Sequence, residues 1–176
     1  MLKIWRKNSL EPPGDHFFYL RIDDRLIHGQ VVVGWGHSLK INRLILANDG
    51  IAGNASEKEF YLQIIPESLG GAVFSVAEAI EEVKKDTCRD RRCMVVVASV
   101  EDALRWLEAG VYPDALILGG IRASRNRKRF LDYLFLSEDE IEKLSDAARS
   151  GLKIICRDLP VGAAYDFLDL VKKETD

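Results

Sequence analysis

The sequence predicts an α/β fold: a single doubly wound, mostly parallel sheet of about seven strands with helices on both faces. Apolar runs rich in Val, Ile, Leu and Phe alternate with segments of helical character along most of the chain. These runs are almost continuously apolar, which is typical of strands that are covered on both sides. Regular alternation of such strands with helices favours a parallel sheet between two helical layers.

The predicted elements follow one another in a regular order. Strands are predicted at 17–23, 43–48, 71–75, 93–98, 114–118, 132–136 and 152–157. Helices are predicted at 29–40, 55–65, 76–86, 100–109, 138–150 and 161–173. Ser75 and Ser137 precede carboxylates and are predicted N-caps, whereas Gly110 and Gly151 are predicted helix stops.

The length of the chain bounds its domain organisation. A chain of 176 residues most simply forms one domain, and it can bury a core without metal or disulfide staples. Glu11-Pro12-Pro13-Gly14-Asp15 interrupts regular structure just before the first predicted strand. We therefore expect an N-terminal extension, 1–15, followed by a single domain, 16–176.

Composition and charge exclude several classes of protein. No apolar segment is long enough to span a bilayer, and the N-terminus lacks the apolar region of a secretory signal, so a cytoplasmic protein is predicted. The net charge of −3 argues against a general nucleic-acid binder. Cys88, Cys93 and Cys156 are expected to be reduced thiols with no role in metal binding, because no second Cys or His pair completes a zinc site.

The stretch Arg21–Gln30 concentrates charge between two apolar segments. It contains two arginines, two aspartates and His28, which falls where the first strand hands over to a helix. Main-chain N–H groups at a helix start and nearby guanidinium groups can hold phosphate oxygens. His28 is therefore the predicted nucleophile of a phosphoryl-handling site. The alternative is a loop histidine within a solvated, internally paired strand end.

Roles within this stretch follow from the chemistry of phosphoryl transfer, which demands positioning and charge neutralisation. Arg25, three residues before the histidine, is the predicted clamp on the phosphoryl group. Arg21 is a weaker candidate for phosphate binding, because a structural Arg–Asp pair explains it equally well. Asp23 or Asp24 is expected to orient the imidazole or fix an arginine.

Other loops that follow strands should open onto the same edge of the sheet. Asn48-Asp49-Gly50 is either an ordinary turn or a segment that brings Asp49 to the histidine. Gly119 and Gly120 would let a phosphate or substrate approach the backbone closely. No G-x-G-x-x-G or P-loop string occurs, so no nucleotide cofactor is expected.

A basic cluster follows the glycine pair. It consists of Arg122, Arg125, Arg127, Lys128 and Arg129. Such a run is ordinarily a solvated loop, but beside an anion site it could dock or steer an acidic partner.

The motif Arg21–Val31 with Trp35 resembles the phosphorylation-site signature of the IIB component of the mannose/fructose/sorbose family of the bacterial sugar phosphotransferase system. The resemblance extends over about residues 17–173. It continues through Ala47-Asn48-Asp49, Pro66, Leu118-Gly119-Gly120-Ile121, Gly151 and Arg157-Asp158-Leu159-Pro160. It implies a seven-stranded sheet, phosphorylation of Nδ1 of His28, Asp23 rather than Asp24 as the site residue, and Asp49 facing the histidine loop.

The resemblance also implies a function. A IIB component is a phosphohistidine intermediate that takes a phosphoryl group from a IIA protein and passes it to a sugar presented by membrane IIC and IID permease components. The donor is expected on another polypeptide, since no second domain is evident, and no cofactor or metal is expected. The protein would be cytoplasmic and peripherally associated with the permease; assembly as a homo-oligomer is left open.

Two other functions compete with transport. One is a regulatory, non-transport module of the same system that signals through phospho-His28, which the extension and the basic cluster would suit. The other is a small-molecule-binding α/β domain without covalent chemistry, which becomes preferable only if His28 is unreactive.

Overall fold

The structure is a computed structural model that describes residues 14–85, 88 and 90–175. The described strands are β1 (Phe17–Ile22), β2 (Arg43–Ala47), β3 (Ala72–Phe74), β4 (Arg92–Val97), β5 (Ala115–Leu118), β6 (Lys128–Leu131), β7 (Leu134–Leu136), β8 (Ile154–Cys156) and β9 (Tyr165–Asp166). The described helices are a π-helix (Gln30–Trp35) followed by α1 (Gly36–Ser38), α2 (Asp49–Gly53), α3 (Ala55–Ile64), a 3₁₀ turn (Glu67–Leu69), α4 (Val76–Lys84), α5 (Val100–Glu108), α6 (Glu138–Arg149) and α7 (Phe167–Thr175).

Among the described residues, the main sheet has seven strands in the order β3-β2-β4-β1-β5-β8-β9. All neighbouring pairs are parallel except β8 with β9. After β1 the chain continues to β2, toward one edge of the sheet, whereas after β5 it returns to the sheet at β8, toward the other edge. The carboxyl ends of these adjacent strands therefore form a topological switch point, which is where open α/β sheets bind ligands. The predicted fold class is confirmed.

Two apolar layers cover the sheet. One packs α4, α5, α6 and α7 on one face and is centred on the fully buried Trp106. The other packs the π-helix and α1 on the opposite face and includes the fully buried Val31 and Trp35. The helix after the histidine loop is thus fixed by its apolar side chains, because removing them from water is the main favourable term in folding.

Local signals in the sequence set several helix ends. The side chains of Ser75 and Ser137 accept hydrogen bonds from main-chain N–H groups of α4 and α6, and a glutamate completes each capping box. Gly110 and Gly151 have positive φ values of 74° and 106° directly after α5 and α6. These N-caps and helix stops agree with the prediction.

Two predicted elements differ in the structure. The strand predicted at 132–136 forms β7, which pairs with β6 in a separate antiparallel hairpin, and β9 supplies the seventh strand of the sheet. The helix predicted at 161–173 begins only at Phe167. The two residues directly before it, Tyr165 and Asp166, form β9 and pair with β8 instead of continuing the helix.

The expectation of three reduced cysteines is wrong for one pair. Cys88 and Cys93 form a disulfide with their Cα atoms 5.5 Å apart, a separation that a disulfide spans without backbone movement. In the fold, Cys93 of β4 lies beside Cys88. The spacing of the two residues along the chain did not indicate this pairing. Cys156 is free and buried.

Two further predictions concern the N-terminal extension and membrane-spanning segments. Most of the predicted extension, residues 1–13, lies outside the described residues. Within the part of the chain that the structure describes, no helix is long and apolar enough to cross a membrane.

Candidate functional site

The histidine loop is tied to both neighbours of the central strand. Where β1 ends, the main-chain N–H of Asp23 donates to the carbonyl of Val97 at 3.0 Å, and that of Asp24 donates to the carbonyl of Gly120 at 2.8 Å. Leu26 adopts a positive φ of 59°, which turns the chain sharply. The carbonyl of His28 then accepts hydrogen bonds from the first turn of the π-helix. His28 therefore lies at the strand-to-helix junction that the sequence predicted.

The carboxylate of Asp23 is the centre of the site. It is fully buried, and its two oxygens accept hydrogen bonds from Arg21 Nη2 at 2.7 Å, Arg25 Nε at 2.9 Å and Arg25 Nη2 at 3.0 Å. Burial alone would raise the pKa of Asp23, but the hydrogen bonds and charges of Arg25 and Arg21 lower that pKa to about 2. Asp23 is therefore ionised at neutral pH.

The imidazole of His28 rests on this carboxylate. Its Nε2 lies 3.4 Å from Oδ2 of Asp23, and the side chain is 21% exposed. An ionised carboxylate can only accept hydrogen bonds, so Nε2 must carry the proton of the neutral ring. Nδ1 then holds the lone pair. The geometry thus leaves Nδ1 as the ring nitrogen of His28 that can accept a group.

Arg21 has a structural position. Its side chain is 1% exposed, donates to the main-chain carbonyls of Arg157 and Asp158, and stacks over the ring of Trp35 at 5.1 Å. Burial lowers the pKa of Arg21, and the charge of Asp23 opposes that effect. The structure thus shows the ion pair that was the alternative for this residue. A phosphate contact by Arg21 would require the cluster to open.

Arg25 is the accessible cation beside the histidine. Its side chain is 37% exposed, and its pKa is raised chiefly by the hydrogen bond with Asp23. Nη1 donates to Oε1 of Gln30 at 3.2 Å, and Nη2 donates to Oδ1 of Asp158 at 2.5 Å. Arg25 and His28 both bind the carboxylate of Asp23, and Arg25 is the more exposed of the two arginines there.

The sequence did not identify three contributors to this site. Asp158 binds Arg25 through its side chain and binds Arg21 and Trp35 through its carbonyl oxygen. The Arg157 guanidinium donates to the carbonyls of Leu159 and Pro160 and so fixes the loop that carries Asp158. Gln30 contacts Arg25. Both signals were in the family resemblance without an assigned role: Arg157-Asp158-Leu159-Pro160 for the first two, and the motif Arg21–Val31 for Gln30.

Gly119 and Gly120 allow a close approach, but arginines occupy the space. A Cβ atom on Gly119 would lie 2.3 Å from Nη2 of Arg21, and a Cβ atom on Gly120 would lie 2.8 Å from Nε of Arg25. The two guanidinium groups therefore lie against the backbone that follows β5. In this geometry the two glycines leave room for the guanidinium groups of Arg21 and Arg25. Contact of the glycines with phosphate stays a prediction.

The structure places Asp49 away from the histidine. Asp49 begins α2, which follows β2, and β4 lies between β2 and β1 in the sheet. The carboxylate of Asp49 accepts a hydrogen bond from the main-chain N–H of Val76 at 2.8 Å and pairs with Arg105 at 2.7 Å. The hydrogen bond from Val76 and then the contact with Arg105 lower the pKa of Asp49. Asp49 thus caps a neighbouring helix, and its predicted role in phosphate binding has no contact that supports it.

Local acidic residues pair with most of the basic cluster. Arg122 contacts Asp24 through its main-chain N–H at 2.7 Å and its Nε at 2.8 Å, which closes the cluster onto the histidine loop. The other ion pairs are Arg127 with Glu140, Lys128 with Glu138, and Arg129 with Asp132. These pairs reduce the positive field that a docking role would use.

Neither of two cavities in the described part of the structure is lined by His28. A cavity of about 990 Å³ lies between α5 and α6, and it is lined by Ser99, Arg105 and Lys143 among others but not by His28 or Arg25. A smaller cavity of about 340 Å³ adjoins Arg25 and Arg122. In the described residues, no group of three or more His, Cys, Asp or Glu side chains is arranged to hold a metal.

Comparison with known proteins relates this geometry to a family. The family model described as PTS system sorbose subfamily IIB component matches residues 17–176. The PTS system fructose-specific EIIB component of Bacillus subtilis (strain 168) is 26% identical over 155 residues, covering 88% of this chain and 95% of that protein. The PTS system mannose-specific EIIAB component of Escherichia coli (strain K12) is 26% identical over 87% of this chain, which spans 47% of that protein.

A solved structure shows the same fold. The IIBSor domain of the sorbose permease from Klebsiella pneumoniae superposes with a TM-score of 0.80. The match covers 89% of this chain and 97% of that domain at 23% identity.

Substituting Asp23 should change how stability depends on pH. The folded-state pKa of about 2 lies below the ordinary value of 3.8, so the stabilisation from the ionised form is complete above about pH 4 and is lost as the pH falls toward about 2. At neutral pH, Asp23→Asn should lower the free energy of unfolding by about 3 kcal/mol, because the buried Arg21 loses its counter-charge. About 2.5 kcal/mol of this difference should disappear at acid pH.

Urea denaturation of both proteins across this pH range measures the effect. The control is Asp24→Asn, which removes a carboxylate whose partner Arg122 is 73% exposed and should leave the pH dependence nearly unchanged. Parallel stability curves for wild type and Asp23→Asn would contradict the assignment of Asp23 as the buried anion.

Gly119→Ala should destabilise the protein by about 2 kcal/mol, because the added methyl group overlaps the Arg21 guanidinium. Gly53→Ala is the matched control, since nothing lies within 4 Å of its added Cβ atom. Thermal and urea unfolding of both variants tests the difference. Equal stabilities would show that Arg21 does not need the space over Gly119.

Proposed function

The chain belongs to the IIB components of the sorbose subfamily of the sugar phosphotransferase system, and we propose that His28 is the residue through which it accepts and passes on a phosphoryl group. Members of this family are phosphotransferases, so the chain has a phosphoryl-accepting role in sugar transport. One observation supports His28 above all: an ionised, buried carboxylate holds Nε2 and leaves Nδ1 with the free lone pair, and Arg25 binds the same carboxylate.

The transfer step requires no cofactor in this proposal. The lone pair on Nδ1 of His28 attacks the phosphorus of a phosphohistidine, the new P–N bond forms, and the donor nitrogen keeps the electron pair of the bond that breaks. The ring of His28 becomes positively charged while Nε2 keeps its proton. The second transfer reverses these events, with a sugar hydroxyl oxygen as the acceptor and its proton released.

Asp23 supports both halves of this cycle. Its negative charge lies next to the imidazole ring and stabilises the positive charge that the ring gains on phosphorylation. Its hydrogen bond with Nε2 also keeps the ring oriented with Nδ1 outward. Because two arginines hold Asp23 in place, the carboxylate does not have to reorganise during the reaction.

Arg25 neutralises the transferring group. A phosphoryl group in transit spreads negative charge over three equatorial oxygens, and a guanidinium fork can bind two of them. Arg25 is the partly exposed arginine that shares Asp23 with His28, whereas Arg21 is buried beneath. We therefore assign the clamp to Arg25 and the scaffold to Arg21.

The partners are inferred from the family. The mannose-specific relative carries a IIA and a IIB component under one name, so we propose a IIA protein or domain as the phosphodonor. The acceptor would be a sugar presented by IIC and IID permease components, with this chain on the cytoplasmic side and peripheral to that permease. No feature within residues 14–85, 88 and 90–175 favours the regulatory alternative over transport.

Incubation with phosphoenolpyruvate, the general phosphotransferase proteins and a cognate IIA should place one acid-labile, base-stable phosphoryl group on His28. If exposure alone decided which histidine is phosphorylated, it would favour His16 and His37, which are both on the surface. Peptide mapping under alkaline conditions identifies the residue, with His37→Gln as the variant that should still be labelled fully. Label on His16 or His37 would overturn the assignment.

Arg25→Ala should slow phosphoryl transfer through His28 by about 100-fold, because the guanidinium stabilises charge that develops in the transition state. Arg25→Lys should recover little of this rate, since an ammonium group cannot form the bidentate contact. Rapid-quench transfer assays measure the rates, and Arg149→Ala removes an arginine of α6 that is 67% exposed as the control. A wild-type rate in Arg25→Ala would remove Arg25 from the mechanism.

A further inference from the structure

We propose that Asp158 is a positioning residue that holds Arg25 while His28 is unphosphorylated, yields it to the incoming phosphoryl group, and thereby sets how readily His28 gives that group away. The inference rests on the proposed function and concerns the same site. It arises from the hydrogen bonds that already occupy the Arg25 guanidinium group.

An inventory of the N–H donors on Arg25 shows the conflict. Nε and Nη2 donate to the two oxygens of Asp23, Nη2 also donates to Oδ1 of Asp158, and Nη1 donates to Oε1 of Gln30. A guanidinium group has five N–H donors, so a single one remains. A bidentate contact with a phosphoryl group needs two adjacent donors, and therefore one present partner must leave.

Of the three partners of Arg25, Asp158 is the one that can leave and whose departure changes the charge around the guanidinium group. Asp23 is fully buried and also compensates Arg21, whereas the side chain of Asp158 is 21% exposed. Gln30 is neutral, so its departure would not change the charge around Arg25. Release of Asp158 frees an Nη2 donor on the edge of the guanidinium group that faces away from Asp23.

The loop around Asp158 permits this exchange without a backbone movement. Its carbonyl oxygen stays bound to Arg21 Nη2 and Trp35 Nε1, each at 3.0 Å. A change of side-chain rotamer is therefore enough to separate the carboxylate from Arg25. Nη2 of Arg21 lies 3.6 Å from the carboxylate and offers a second cation nearby.

The exchange has a predictable effect on the energy of phospho-His28. The unphosphorylated protein gains the ion pair between Asp158 and Arg25, and the phosphorylated protein loses it. A released carboxylate close to the phosphoryl oxygens also repels them. Both effects favour departure of the phosphoryl group, so Asp158 makes phospho-His28 a better donor to sugar.

The test is the equilibrium constant for phosphoryl exchange between the IIA donor and His28. Asp158→Asn keeps the shape of the side chain but removes its charge, and it should shift this equilibrium toward phospho-His28 by about tenfold. Asp158→Glu keeps the charge and should restore a value close to wild type. Asp24→Asn is the matched control, because it removes a carboxylate of the histidine loop that contacts Arg122 rather than Arg25, and it should leave the equilibrium unchanged.

An unchanged equilibrium in Asp158→Asn, or an equal shift in Asp24→Asn, would overturn the inference. A second measurement needs only the wild type: the ¹³C resonance of the Asp158 carboxyl group should move on phosphorylation, and a resonance that stays in place also overturns it. Wild-type protein that accepts no phosphoryl group on His28 would instead refute the proposed function, so the two failures are distinguishable.

Discussion

The site depends on one buried carboxylate that three side chains share. Burial disfavours the charge of Asp23 and would raise its pKa, but Arg25 and Arg21 keep it ionised with a pKa of about 2. Its charge then determines which nitrogen of His28 carries the proton. The same contacts hold the two arginines, so the proposed nucleophile His28 and the proposed clamp Arg25 bind one carboxylate.

The sheet supplies this anchor with its geometry. Arg21 lies on the central strand, and the loop that follows is pinned to the ends of β4 and β5 by main-chain hydrogen bonds. Gly119 and Gly120 leave room for the guanidinium groups over β5. The loop after β8 contributes Asp158. Its carbonyl oxygen accepts a hydrogen bond from Arg21, and its carboxylate accepts one from Arg25.

Periodicity and local chemistry explain what the sequence could predict. The apolar runs gave the strands and the fold class, and capping serines and glycines gave helix ends, because these features depend on neighbouring residues. The pairing of Arg25 with Asp158 joins residues 133 positions apart, and nothing local indicates it. Likewise, Asn48-Asp49-Gly50 was ambiguous as a turn or a site segment, and nothing local indicates that β4 lies between β2 and β1 or that Asp49 pairs with Arg105.

The central claim is that ionised Asp23 holds the Nε2 proton of His28 and leaves Nδ1 as the nucleophile. The most direct measurement is the tautomeric state of this ring in unphosphorylated protein, read from ¹⁵N chemical shifts and long-range ¹H–¹⁵N couplings at mildly alkaline pH. The account predicts a protonated Nε2 and an unprotonated Nδ1, with this preference weakened in Asp23→Asn. A proton on Nδ1 in the wild type would contradict it.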